Sequence, residues 1–239
     1  MKKDKIPSEL IELITEEEII LFKDLQKRIQ ELNYKTNLTR LIDGDNYWIS
    51  QVFDSIWPFK ILPNLNFDNK KFLDIGSGCG FPGFAYAITH PSSEIYLVDS
   101  SKKKTDALKS CINQVNFKNK FYVINDRIEN LAHESKLRNT FDVVTARAVS
   151  NPYTVSEYIL PLLNKGGLGV LFCGKWDNKE NKSLLKTLEI LDGKLIDIKN
   201  TSLPNNKGTR NIIFIKPKKY CSAVYPRSVG KPEKYPLKD

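Results

Sequence analysis

The densest group of chemically capable residues is Phe72-Leu73-Asp74-Ile75-Gly76-Ser77-Gly78-Cys79-Gly80-Phe81-Pro82-Gly83, an apolar run leading through glycines into a helical stretch. Glycines at such a turn permit positive φ and let a ligand approach the backbone closely, so a nucleotide-like ligand is expected there. Gly78 to Gly83 satisfies the dinucleotide pattern G-x-G-x-x-G literally. In that fold, however, the first glycine follows the strand at once, which makes it Gly76 and places the third glycine position on Phe81. The alternative suits S-adenosylmethionine: Asp74 faces the ammonium of a methionine moiety, while Gly76, Gly78 and Gly80 curve past its carboxylate and ribose. Asp99, closing Tyr96-Leu97-Val98-Asp99, can accept hydrogen bonds from both ribose hydroxyls. An acid plays that part in either cofactor class, so Asp99 supports a nucleoside without choosing between them.

Further along, Arg147 closes a fourth apolar run and can donate two parallel hydrogen bonds to a guanine O6 or a phosphate. Lys175 and Trp176 follow Cys173-Gly174, where a fifth strand opens at the substrate edge; lysine could hold phosphate and tryptophan could stack a base. Ser150-Asn151-Pro152-Tyr153 is similar to the Asn-Pro-Pro-Tyr motif of amino-methylating enzymes but lacks the second proline. It reads mainly as a turn opening a helix, with adenine N6 as a minor alternative acceptor. His90 and His133 read as surface residues without a role, and four scattered cysteines with no C-x-x-C pair argue against a metal site.

The elements that must position these residues follow from periodicity. Residues 8–33 read as one helix capped by Ser8, and a second helix spans about 45–59 before the breakers Leu62-Pro63-Asn64. From Lys71, strands at 72–75, 94–98, 121–124, 141–145 and 168–172 alternate with helices near 83–90, 102–115, 154–163 and 178–190. Runs at 194–198 and 210–216 have no room for a crossover helix and predict an antiparallel hairpin. The expected fold class is α/β: a doubly wound, mainly parallel seven-stranded sheet of the class I methyltransferase type with an antiparallel last strand. The expected organisation is an N-terminal helical extension (1–65), a cofactor-binding domain (66–219) and a basic tail (220–239) packed on or near that domain.

With 41% apolar and 27% charged residues and no apolar run long enough for a membrane span, the chain reads as a soluble, cytoplasmic, monomeric globular protein. Its net charge of +9 concentrates at the end: residues 199–239 carry ten Lys or Arg against Glu233 and Asp239. Such a patch attracts a polyanion, nucleic acid above all. Lys218, Lys219 and Arg227 are therefore candidate RNA contacts beside Lys175.

With these residues in place, the chain resembles the bacterial small-subunit (16S) ribosomal RNA guanine-N7 methyltransferases, the glucose-inhibited division protein B family. The likeness runs nearly end to end. It includes Asn37-Leu38-Thr39, Asp54-Ser55, Asp74 to Gly83 with its Phe81-Pro82-Gly83 ending, Val98-Asp99-Ser100, Arg127-Ile128-Glu129, Thr145-Ala146-Arg147-Ala148, and a tail with Tyr225-Pro226-Arg227 and Gly230. The resemblance implies cofactor contacts from Gly76 and Phe81, a ribose pocket of Asp99, Ser100 and Ser101, and an adenine flanked by Ile128 and Glu129. It also implies that Arg147 lies where cofactor and substrate meet. Gln51 stands where the family commonly has histidine, and Cys79 where proline is frequent. Guanine N7 carries no proton, so transfer to it needs no general base and rests on proximity and orientation. Two other readings remain open: a nicotinamide-dependent oxidoreductase on the same glycine turn, and a non-catalytic RNA-binding module.

Overall fold

The computed structural model of the chain describes residues 6–62 and 65–238; the basic residues 1–5 and the breaker Pro63-Asn64 lie outside the described residues. Seven strands, β1 (Lys71–Ile75), β2 (Glu94–Val98), β3 (Lys120–Ile124), β4 (Phe141–Arg147), β5 (Leu163–Cys173), β6 (Gly193–Ser202) and β7 (Thr209–Pro217), form one sheet. Their order is β3-β2-β1-β4-β5-β7-β6. β1 to β5 pair in parallel, and β7 runs antiparallel to both β5 and β6. Strand order reverses between β1 and β4, and ligands of such sheets bind outside the carboxyl ends at that switch point.

Central strands of this kind are covered on both faces and therefore read as continuous apolar runs rather than alternating ones. In β1, Phe72 joins one buried cluster and Leu73 and Ile75 the other. The first face carries α1 (Ser8–Ile11), α2 (Glu16–Thr36), α3 (Gly44–Tyr47), a π-helical segment (Trp48–Phe53), α4 (Asp54–Lys60), α5 (Gly83–Thr89) and α6 (Lys102–Gln114). The second carries α7 (Ile128–Leu131), α8 (Pro152–Ile159), α9 (Asn178–Ile190) and the chain after β7, which includes α10 (Lys231–Lys234). No helix among the described residues is long and apolar enough to cross a membrane.

Two expectations are corrected. The single helix over 8–33 is two, because Thr15 and Glu18 form a capping box that starts α2 afresh: Thr15 Oγ1 accepts from Glu18 N at 3.2 Å and Glu18 Oε2 accepts from Thr15 N at 2.6 Å. His90 is not a surface residue: its ring is buried and stacks on Tyr86 with centroids 4.2 Å apart, and burial lowers its pKa to about 4. The basic tail packs on the domain. Arg138 donates to the carbonyls of Cys221, Ser222 and Tyr225 at 2.8–3.0 Å, and Arg227 pairs through Nη2 with buried Glu157 at 2.7 Å.

Candidate active site

The carboxyl ends of β1, β2, β3 and β4 enclose a crevice of about 250 Å³, and a second cavity of about 430 Å³ opens beside it toward the N-terminal helices. Gly76, Lys104 and Ala148 line both, so the two are one continuous groove. Asp99, Ser100 and Ile128 line the first part; Gly78, Phe81 and Arg147 line the second.

The glycine turn holds its shape through the acid at the next strand end. Gly76, Gly78 and Gly80 all have positive φ. Gly78 N donates to Asp99 Oδ2 at 3.0 Å, Ser101 N donates to Asp99 Oδ1 at 2.9 Å, and Lys104 Nζ lies 3.5 Å from Oδ2. Asp99 is thereby fixed with its carboxylate at the groove wall. Gly80 has φ +102, and a Cβ built on it would fall within the Phe84 ring. Gly80→Ala is therefore expected to destabilise the protein by about 3 kcal/mol or more, read as a lowered midpoint in urea at unchanged m-value.

Four of the expected contact residues stand behind the walls instead of on them. Asp74 is fully buried; its Oδ1 accepts from Thr145 Oγ1 at 2.9 Å and its Oδ2 from Gly83 N at 3.2 Å, so it ties the turn to β4 and α5. Gly80 shapes the turn, Ser101 caps Asp99 through its backbone, and Glu129 faces the tail. Glu129 accepts from Arg127, Tyr158 and Gly230 N; burial alone would raise its pKa, but the hydrogen bonds from Arg127 and Gly230 bring it below the ordinary value.

Burial raises the pKa of Asp74 to about 7, against the opposing hydrogen bonds from Thr145 and Gly83. A folded-state pKa above the unfolded one means that the folded protein holds the extra proton. The stability contribution is then complete below about pH 4 and is lost as pH rises through about 7. Asp74→Asn is expected to remove this fall, on the order of a few kcal/mol between pH 4 and 8, in unfolding titrations of the ligand-free protein. Parallel stability curves for both proteins would contradict it.

At the other end of the groove stands a cluster that the sequence reading only partly anticipated. Arg147 Nη1 donates to Ser50 O at 3.2 Å, Ser55 Oγ at 3.2 Å and Asp54 Oδ2 at 3.3 Å, and its Nη2 donates to Gln51 Oε1. The other oxygen of Asp54 accepts from Arg210 Nε at 2.8 Å. Asp54 is 1% exposed, so one buried carboxylate aligns two arginines facing the cavity. The π turn over Trp48–Phe53 supplies the Ser50 and Gln51 acceptors, and π turns frequently occur at functional sites. Gln51 also donates to Cys79 Sγ at 3.2 Å, so the two departures from the family pattern touch. Arg210 was missed; its one signal was a cation opening the apolar run of β7.

The RNA-contact candidates scatter. Lys175 is exposed just beyond the end of β5, while Trp176 packs on the second core cluster as a covering aromatic. Lys218 and Lys219 follow β7 at the opposite edge of the sheet, since β7 runs against β5, and Lys219 pairs with Asp192 at 3.2 Å. Arg227 is committed to Glu157 and to the Tyr235 carbonyl. Asn151 caps α8 by accepting from Thr154 N at 2.9 Å and does not line the groove. Among the described residues there is no group of three or more His, Cys, Asp or Glu placed to hold a metal ion.

Comparison with known proteins gives a family. Residues 18–212 match the family model described as rRNA small subunit methyltransferase G. The chain is 70% identical over 237 residues to ribosomal RNA small subunit methyltransferase G of Prochlorococcus marinus strain MIT 9312, covering 99% of this chain and 100% of the relative. It is 42% identical to the protein of the same name from strain NATL1A, covering 93% and 90%. Among solved structures it is similar to an O-methyltransferase from Bacillus cereus in complex with SAH (TM-score 0.57, 14% identity, 81% of this chain and 90% of that one). It is also similar to a SAM-dependent O-methyltransferase from Thermotoga maritima (TM-score 0.53, 13% identity, 83% and 72%). These last two show the fold.

Proposed function

The chain belongs to the rRNA small subunit methyltransferase G family, and we propose that it transfers a methyl group from S-adenosylmethionine to N7 of a guanine in small-subunit (16S) ribosomal RNA, acting as a cytoplasmic monomer. The residues fit the cofactor: an acid fixed at the β2 end, Ile128 beside it, and positive-φ glycines lining the turn between them and Arg147. In this reading Asp99 takes the ribose hydroxyls, Ser100 and Ile128 border the nucleoside, and Gly76, Gly78 and Phe81 border the methionine portion. Asp74, Gly80, Ser101 and Glu129 support these walls from behind. The helices of residues 1–65 cover the acceptor side of a cofactor-binding unit, 66–219, and residues 220–239 strap it.

The observation that carries the reaction is that the acceptor side, among the described residues, offers neither a histidine nor an unpaired carboxylate. Among the described residues lining the second cavity there is no histidine, and the one carboxylate, Asp54, is held between Arg147 and Arg210. Burial pushes the Cys173 thiol up to about 12, out of range for proton abstraction. An exocyclic amine or a hydroxyl must lose a proton on methylation, whereas guanine N7 attacks with an in-plane lone pair. When bound, the cofactor would supply an electrophilic sulfonium methyl group, and the chain's own residues would orient the acceptor toward it. Arg147, oriented by Ser50, Gln51, Asp54 and Ser55, holds the guanine O6 or an adjacent phosphate so that N7 faces the groove. Lys175 contacts RNA at the rim.

With both substrates saturating, the methyl-transfer rate is expected to be flat from about pH 6 to 8.5. A rate rising tenfold per pH unit over that range would indicate removal of a proton and overturn N7 as the acceptor.

A further inference from the structure

The chain after β7 folds back on the second face of the sheet. Its path is fixed at successive points: Arg138 on the carbonyls of 221, 222 and 225, Arg227 on Glu157, Gly230 N on Glu129 at 3.0 Å, and the Pro232 carbonyl on Thr154 Oγ1 at 3.0 Å. Gly230 takes φ +78 to start α10, and the next turn places Glu233 on the wall of the same crevice as Asp99 and Ile128.

We propose that the tail completes the nucleoside pocket and that Glu233 recognises the adenine amino group. This rests on the S-adenosylmethionine reading of the crevice. The ribose end of the crevice is marked by Asp99 and the base end by Ile128, which follows β3. A base there needs a partner for its polar edge. Asp126, the nearest other acid on the wall, spends Oδ1 on Arg127 N at 2.7 Å and Asn130 Nδ2 at 2.9 Å. Glu233 makes no hydrogen bond or ion pair among the described residues, and it lies close enough to Arg127 and Tyr158 to act on them electrostatically. Its carboxylate is an acceptor at every lone pair, which matches the two donors of an exocyclic amine and opposes the oxygen of a 6-oxopurine. Glu129 ties the loop carrying Ile128 to Gly230, three residues before Glu233, so the tail and the base-flanking loop are held as one wall.

The test is equilibrium binding of S-adenosylhomocysteine and of its 6-oxo counterpart, S-inosylhomocysteine, to the full chain and to Glu233→Ala and Glu233→Gln. The unaltered protein is expected to prefer the amino compound by about tenfold or more, the worth of one hydrogen bond to a charged group. Glu233→Ala should weaken the amino compound about fivefold and leave the oxo compound unchanged or improved. Glu233→Gln should hold the amino compound within about threefold and improve the oxo compound, because an amide can also donate. A preference unchanged in both variants would overturn the role of Glu233 while leaving the cofactor reading intact. Failure of the unaltered protein to bind either compound would overturn the cofactor reading itself.

Discussion

Arg147→Ala is expected to lower the methyl-transfer rate at saturating cofactor and RNA by about 100-fold or more, while the dissociation constant for S-adenosylmethionine changes only a few-fold. The guanidinium is held by four acceptors on the π turn and α4, so its position is set before any substrate arrives. Misplacing the acceptor by about 1 Å suffices for a loss of that order. Removing it also leaves Asp54 buried with Arg210 alone, which should cost about 2–3 kcal/mol of stability. Arg147→Lys separates the two effects: it restores a positive charge near Asp54 but not the planar fork, so most of the stability should return and little of the rate. Single-turnover kinetics with isothermal titration of the cofactor and urea unfolding would check all three expectations. Near-normal turnover in Arg147→Ala would remove it from the site.

Asp99→Ala is expected to weaken S-adenosylmethionine binding by about 100-fold with RNA affinity unchanged. In the proposed reading two charge-assisted hydrogen bonds to ribose hydroxyls are lost, each worth about 1.5–3 kcal/mol, partly offset by water entering the space. The variant also strips the acceptor from Gly78 N and Ser101 N, so the turn loosens and stability falls by about 1–2 kcal/mol. Calorimetric titration of the cofactor and a filter-binding assay with small-subunit RNA separate the two affinities. Equal losses of both would mean that Asp99 supports the whole fold rather than the nucleoside.

The β-strands were legible because parallel strands buried on both faces leave nearly continuous apolar runs, as Ile95–Val98 does and as Phe72–Ile75 does but for the buried Asp74. The glycine turn and Asp99 were legible for a similar reason: a positive-φ turn and a strand-end acid leave marks local in sequence. The Arg147 cluster was not, because its members come from residues 50–55, 147 and 210, and only tertiary packing brings them together. One local mark existed in Asp54, an acid amid the apolar run Ile49 to Phe59, where burial demands a partner. The break between α1 and α2 was also readable, since Thr15 and Glu18 stand at capping-box spacing, but apolar periodicity on both sides masked it. Which of the tail's cations are already paired was not legible, for a physical reason. Net charge counts lysines and arginines alike, whereas Arg227 is neutralised by a glutamate 70 residues earlier and Lys218 and Lys219 emerge at the far edge of the sheet.

The central claim is that the Asp99 end and the Arg147 end of one groove bring an activated methyl group to guanine N7 of small-subunit RNA. It is tested most directly by incubating the protein with S-adenosylmethionine carrying a radiolabelled methyl group and undermethylated bacterial small subunits, then separating the nucleosides of the digested RNA. The account predicts label in 7-methylguanosine, accumulating about 100-fold more slowly when Arg147→Ala replaces the unaltered protein. Label in any other nucleoside, or none with a cofactor-binding protein, would contradict it.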